Sequence, residues 1–251
     1  MITMKSMEEI KAMQEAGEVL ASCHKELRSF IKPDVTTLDI EHFVDDYLKK
    51  QGVTPEQKGY RGYPFATCAS INDVICHGFP TKNKLVSGDI VTIDMVVNRN
   101  GWLADSAWSY PVGDISEEAA QLLQVTKEAL YLGIEQAVVG NRLGDVGHAI
   151  QSYAEGKGYS VVRDFTGHGI GRLMHEDPEV LHFGTAGRGV RLKEGMVLTI
   201  EPMINVGTYD YYIEDDGWTA RTADGKLSAQ YEHTIAITKD GPLILTKQDD
   251  E

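Results

Sequence analysis

At 251 residues, with 42% hydrophobic content and a formal net charge of -14, the chain is long enough for a well-buried core and too acidic to present the basic surface that nucleic-acid binding requires. Three cysteines, odd in number and sparse, fit a reducing compartment better than a disulfide framework, and no apolar run nears the roughly 18 to 20 residues of a membrane span. Met1 to Met7 lead straight into polar sequence without a signal-peptide core, so a cytoplasmic protein without nucleic-acid or membrane partners is expected.

Ser6 followed by Glu9 reads as a capping box, after which Ile10, Met13, Leu20, Leu27 and Phe30 recur at helical spacing until Pro33. Thr37 opens a second amphipathic helix with Leu38, Phe43, Val44, Tyr47 and Leu48 on its apolar side and Gly52 at its close. From Tyr60 to Val97 the pattern changes to short apolar runs broken by Gly, Pro and Asn, as in a sheet with irregular connections. Asn98-Arg99-Asn100-Gly101 predicts a hairpin that pairs the strand through Asp94 with Trp102 to Tyr110, which places Asp94 and Asp105 on adjacent strands. Ser116 starts a third helix running to Gly140, and Leu143, Val146, Ile150 and Tyr153 mark a fourth that stops near Gly156. Tyr159 to Phe165 reads as a strand feeding a glycine-rich turn at 166 to 171, with later strands near Tyr209 to Ile213 and Glu232 to Thr238.

One stretch occurs twice. Residues 85 to 94 and 192 to 201 both run Leu, two residues, Gly, three residues, Thr-Ile, then a carboxylate, so Gly88 precedes Asp94 as Gly195 precedes Glu201. With helix-helix-sheet following helix-helix-sheet, this predicts an α+β fold of two pseudo-symmetric halves, antiparallel sheet covered by helices. A single domain over 1–251 is expected, with halves at roughly 1–112 and 113–251.

Asp94, Asp105, His168, Glu201 and Glu232 all sit in or beside predicted strands. Each alone could be a salt-bridged acid, but four buried carboxylates together would repel one another and protonate unless cations shared the site. Oxygen ligands with one imidazole suit two divalent ions such as cobalt, manganese, iron or zinc. His77 and His175 are the further candidates, because His-Gly recurs at His77 and His168, while His24, His42, His148, His182 and His233 read as structural. Gly167 to Gly171 lacks both the dinucleotide-binding spacing and a Walker lysine, and no H-E-x-x-H, G-x-S-x-G or Cys-x-x-Cys occurs. Hydrolysis through metal-bound water is the chemistry left.

These residues and their surroundings resemble the methionine aminopeptidases, of the bacterial type I class. The likeness runs over essentially the whole chain: Gly-Tyr-Pro at 62–64, Ser-Ile-Asn at 70–72, Cys-His-Gly at 76–78, Gly-His-Gly-Ile-Gly at 167–171, His-Glu-Asp-Pro at 175–178, Thr-Ile-Glu-Pro-Met at 199–203 and Ser-Ala-Gln-Tyr-Glu-His at 228–233. The resemblance implies the pita-bread fold with a dinuclear site between its halves. It implies that Asp94 binds one metal, Asp105 and Glu232 bridge the pair, and His168 with Glu201 completes the other, a bridging water or hydroxide being the nucleophile and Glu201 a proton shuttle. His77 and His175 would contact the scissile amide. Tyr60, Tyr63, Cys68 and Trp218 would form the methionine pocket, with Met174 standing where relatives often carry an aromatic residue or Leu. Asn72, Val74 and Ser228 would form a monovalent cation site for sodium or potassium. The implied substrates are the N-termini of nascent polypeptides with a small second residue, met at the ribosome, and the implied enzyme is a monomer. Two alternatives stay open: an Xaa-Pro-specific aminopeptidase or dipeptidase with the same ligands, and a non-catalytic binding protein on the same fold.

Overall fold

The computed structural model describes residues 1–249. In the first half, helices α1 (Met7–Phe30) and α2 (Thr37–Lys50) precede strands β1 (Thr54–Pro55), β2 (Cys68–Ile71), β3 (Val74–Cys76), β4 (Ile90–Arg99) and β5 (Trp102–Pro111). The order then repeats. Helices α3 (Glu117–Glu135) and α4 (Leu143–Gly156) precede β6 (Ser160–Val161), β7 (Gly167–Gly169), β8 (Glu176–Val180), β9 (Val197–Ile200) and β10 (Met203–Asn205). The remaining strands are β11 (Tyr211–Ile213), β12 (Ala220–Thr222), β13 (Ser228–Gln230), β14 (His233–Thr238) and β15 (Gly241–Ile244). The described strand pairs are antiparallel, so the α+β expectation holds.

Local signals act as expected at the helix starts. The Ser6 hydroxyl accepts from the Glu9 N–H and the Glu9 carboxylate accepts from the Ser6 N–H, closing the capping box of α1. In α2 the cap is Thr36, one residue earlier than expected, and the buried face runs through Thr37, Ile40, Glu41, Val44 and Leu48, leaving Leu38, Phe43 and Tyr47 half-buried. Asn100 and Gly101, with φ of 55° and 81°, make the two-residue turn between β4 and β5.

Three expectations need correction. Helix α3 stops at Glu135, because β-branched Val138 and Val139 follow and Gly140, at φ 96°, turns its N–H to the Leu192 carbonyl. Only Ser160–Val161 of the 159–165 stretch is strand, and Asp164, Phe165 and Thr166 face a cavity instead. The glycine-rich run is only partly a turn: Gly167–Gly169 is the inner strand β7, and Gly171 opens the turn that follows it. A Cβ on Gly167 would lie 2.4 Å from the Thr199 carbonyl oxygen, and one on Gly169 2.2 Å from that of Asp177, so these glycines serve close approach between strands.

The repeated stretch has matching backbone contacts in both copies. Leu85 exchanges hydrogen bonds with Asp34 and Val35 ahead of α2, and Leu192 with Gly140 and Asn141 ahead of α4. Two sheets carry the site. One has β4 flanked by β1, β2 and β5, and the other runs β15-β14-β9-β7-β8. They meet where the Glu232 N–H donates to the Ala107 carbonyl (2.9 Å) and the Thr234 hydroxyl bonds both backbone groups of Asp105. One buried cluster spans this seam, including Leu20, Val91 and Trp108 on one side and Leu122, Leu198 and Ile235 on the other.

Candidate metal centre

Between the two sheets opens a cavity of about 630 Å³, lined among others by Asp94, Asp105, His168 and Glu201. Each position has a backbone reason. Asp94 sits mid-strand on β4 between Cys68 of β2 and Ala107 of β5, and Asp105 lies on β5 opposite Val96. His168 is the centre of β7, Glu201 follows the end of β9, and Glu232 directly precedes β14. Thus the seam between the sheets brings Asp105 and Glu232 together: the hydroxyl of Ser106, beside Asp105, donates to the Glu232 carbonyl 126 residues away (3.4 Å).

Asp105, His168 and Glu232 each offer a ligand atom within 4.8 Å of the others, and all three are buried. The His168 Nε2 lies 3.6 Å from both Asp105 Oδ2 and Glu201 Oε1, too long for a hydrogen bond but suited to donors sharing a central cation. Its Nδ1 donates to the Gly169 carbonyl (2.9 Å), which leaves the Nε2 lone pair bare for a metal. Asp94 Oδ1, Asp105 Oδ1 and both oxygens of Glu232 are buried without a hydrogen-bond partner. Orphaned carboxylate oxygens in a closed site are costly, and divalent ions satisfy them. The donor set therefore fits divalent metal.

The electrostatics agree. Burial, then the neighbouring carboxylates, pushes Asp94 and Glu232 well above the carboxylate range. Glu201 is raised by burial to about 7, with His168 opposing the rise. For His168 burial disfavours the charged ring, but the Asp105 and Glu201 carboxylates outweigh it and its pKa rises. Burial lowers His77, and burial followed by the His168 charge lowers His175 to about 4, so both rings are neutral near pH 7.

The other candidates assemble around the same cavity. Tyr60, Tyr63, Cys68, His77, Met174, His175 and Trp218 all line it. The Tyr63 ring meets Trp218 edge-on at 5.2 Å, and Glu41 reaches from α2 to accept from the Ala66 and Thr67 N–H groups, fixing the loop that leads to Cys68. His77 sits at φ 58°, a left-handed conformation rare for a side-chain-bearing residue, with its ring edge-on to Phe165 and Trp218. The Tyr60 hydroxyl is 2.9 Å from His175 Nδ1. Asn72, Val74 and Ser228 lie apart from this cavity's lining. The Ser228 N–H donates to the Asn72 carbonyl (2.9 Å), and the buried Ser228 Oγ has no partner.

Sequence reading missed the residues that hold the candidate ligands. The Thr199 hydroxyl accepts from the His168 N–H (3.0 Å) and donates to Glu201 Oε1 (2.8 Å), and the Gln230 amide reaches Glu201 Oε2 (3.3 Å). His182, expected to be structural, accepts the Glu201 N–H through Nε2 (3.0 Å). Thr199 carried a signal, since Thr precedes the carboxylate in both copies of the repeat. His182 carried none, because its partner Glu201 lies 19 residues on, beyond β9.

The profile of metallopeptidase family M24 matches residues 11–239. The methionine aminopeptidase of Clostridium perfringens is 50% identical over 246 residues, covering 98% of this chain and 99% of that protein. Methionine aminopeptidase 1 of Bacillus subtilis is 46% identical, covering 98% and 100%. The crystal structure of methionine aminopeptidase from Rickettsia prowazekii superposes with a TM-score of 0.97 at 45% identity, covering 98% of this chain and 100% of that one.

Proposed function

The chain belongs to metallopeptidase family M24, and from that premise we propose how it acts: as a metal-dependent aminopeptidase, it removes the N-terminal methionine from polypeptides whose second residue is small. The two-halved pita-bread arrangement expected of this family is the fold observed. One observation carries the reading: unpartnered buried oxygens of Asp94, Asp105 and Glu232 beside a cavity walled by Tyr63, Cys68 and Trp218.

Asp94, Asp105, His168, Glu201 and Glu232 would hold two divalent ions, of manganese, iron, cobalt or zinc. When bound, such ions supply Lewis-acid activation of water and polarisation of the scissile carbonyl. The chain's own groups do the rest. Glu201, at the cavity with its two oxygens held by Thr199 and Gln230, accepts a proton and returns it to the leaving amine. His175 is neutral, and the tautomer in which Nδ1 accepts from the Tyr60 hydroxyl would place its proton on Nε2, from which it would donate to the scissile carbonyl oxygen as charge develops there. His77, neutral and held at an unusual backbone angle, contacts the amide nitrogen. Aromatic edges of Tyr63 and Trp218 and the Cys68 thiol suit a flexible thioether. Asn72, Val74 and Ser228 would hold a sodium or potassium ion through oxygen atoms. The substrates are N-termini of nascent chains, met at the ribosome in the cytoplasm by a monomeric enzyme.

The test compares Met-Ala-Ser with Xaa-Pro peptides, using chelated and then metal-reconstituted protein. Cleavage of Met-Ala-Ser that is lost on chelation and restored by metal is expected. Cleavage of the proline peptide alone, or activity indifferent to chelation, would sink the reading.

A further inference from the structure

Lys5 precedes the first helix, where a lysine is ordinarily a solvated residue. Here its side chain is 4% exposed and its Nζ lies 2.6 Å from Glu176 Oε2, a carboxylate whose side chain is 10% exposed. A buried ion pair of this kind breaks even against its desolvation only when further hydrogen bonds complete it. They do. Glu176 Oε2 also accepts from the Thr3 hydroxyl (2.6 Å), while Oε1 accepts from the Arg172 N–H (3.0 Å) and the Leu173 N–H (3.3 Å).

Those N–H groups belong to the turn between β7 and β8. The same turn carries Met174, which is buried against the cavity, and His175. Two glycines make room for the lysine. A Cβ on Gly171 would stand 2.6 Å from Lys5 Cε and 2.8 Å from Glu176 Oε1. A Cβ on Gly195 would stand 2.8 Å from the Lys5 carbonyl oxygen, and the Gly195 carbonyl accepts the Lys5 N–H at 2.7 Å. The segment therefore threads between the β7–β8 turn, which carries Met174 and His175, and the loop before β9, the strand that leads to Glu201.

We propose that Lys5 is a positioning residue for the reaction: its buried ion pair with Glu176 clamps the β7–β8 turn and so sets where Met174 and His175 stand at the cavity. This rests on the reading of His175 as a group that contacts the scissile amide. The clamp acts through one residue of backbone, since Glu176 is the immediate neighbour of His175. Without it, the turn keeps the Glu176 bonds to Thr3, Arg172 and Leu173, the Leu103–Gly171 bond to β5 and the Arg172 contacts with Gly101 and Trp102, but it loses the counter-charge that fixes Glu176, the residue next to His175. Misplacement of a catalytic group by about 1 Å costs up to about a hundredfold in rate.

The experiment compares wild type with Lys5→Met and with the pair Lys5→Met/Glu176→Gln, each as full-length, metal-reconstituted enzyme. It records urea unfolding, metal content, kcat and KM on Met-Ala-Ser, and the ring nitrogen NMR signals of His175 in the metal-free proteins. Lys5→Met is expected to lose stability, because Glu176 is left buried without its counter-charge. Its kcat falls by about tenfold to a hundredfold, with KM little changed and metal content intact. The double variant regains stability but not kcat, and the His175 signals shift in both. Recovery of kcat together with stability, or His175 signals that superimpose on wild type, makes Lys5 a structural anchor only and overturns the proposal. Should Lys5→Met fail to fold, the double variant decides by the same two readouts. Wild-type inactivity on Met-Ala-Ser would instead overturn the functional reading, and the ring signals would still decide the role of Lys5.

Discussion

The two copies of the repeated stretch begin alike and end differently. In both, a buried leucine exchanges backbone hydrogen bonds with the residues ahead of a helix, and a glycine at positive φ (104° at Gly88, 89° at Gly195) turns the chain into a strand. In the first copy the strand continues for ten residues, and Asp94 is pinned mid-ladder between β2 and β5 with one oxygen unpartnered. In the second the strand ends at Ile200, and Glu201 lies beyond it, its two oxygens engaged by Thr199 and Gln230. The same local scaffold thus yields a carboxylate pushed well up by burial and one raised to about 7. A duplicated backbone places two acids, and what surrounds each acid differs: the first keeps an oxygen bare in the closed site, while the second has both oxygens held by neighbouring side chains.

The largest effect should come from breaking the centre the halves share. Asp105→Ala, from the first half, and Glu232→Ala, from the second, should each abolish turnover and weaken metal binding, because the remaining acids cannot neutralise two ions. Calorimetric titration with unchanged stoichiometry and affinity would contradict this. Next, His175→Ala should keep the metals while lowering kcat by about a hundredfold to a thousandfold. Loss of metal in that variant would mean that the histidine is a ligand rather than a group acting on substrate.

The turns themselves should separate in stability. Gly88→Ala meets only a backbone conformation unfavourable to a side chain and should cost about 1–2 kcal/mol. Gly195→Ala adds a collision with Lys5 and should cost about 2–4 kcal/mol, measured by urea unfolding. Equal costs would show that the Lys5 contact yields without strain. The smallest expected effect distinguishes the paired threonines. Thr92 shares its hydroxyl with Ser109 at 2.7 Å, so Thr92→Val should cost about 1 kcal/mol of stability and leave kcat alone. Thr199→Val removes the link between His168 and Glu201 and should lower kcat about tenfold, the rate equivalent of about 1.4 kcal/mol. An equal change in kcat for both would erase the distinction between the copies.

What the sequence alone determined is what short-range chemistry dictates. The capping box at Ser6 and Glu9, the Asn100-Gly101 turn and the helical periodicities act over a few residues, so they were readable without the fold. The carboxylate set was readable because charge inside apolar strands needs compensation, and the repeat tied Asp94 to Glu201. Tertiary structure decided the rest. Gly167–Gly169 reads as a turn until Thr199 and Asp177 press against it, and the end of α3 is hidden in the sequence because the role of Gly140 lies at Leu192. His182 and Lys5 take meaning only from partners 19 and 171 residues away. Burial of a charged or titratable group is a property of the assembled surroundings, which no local pattern around that residue encodes.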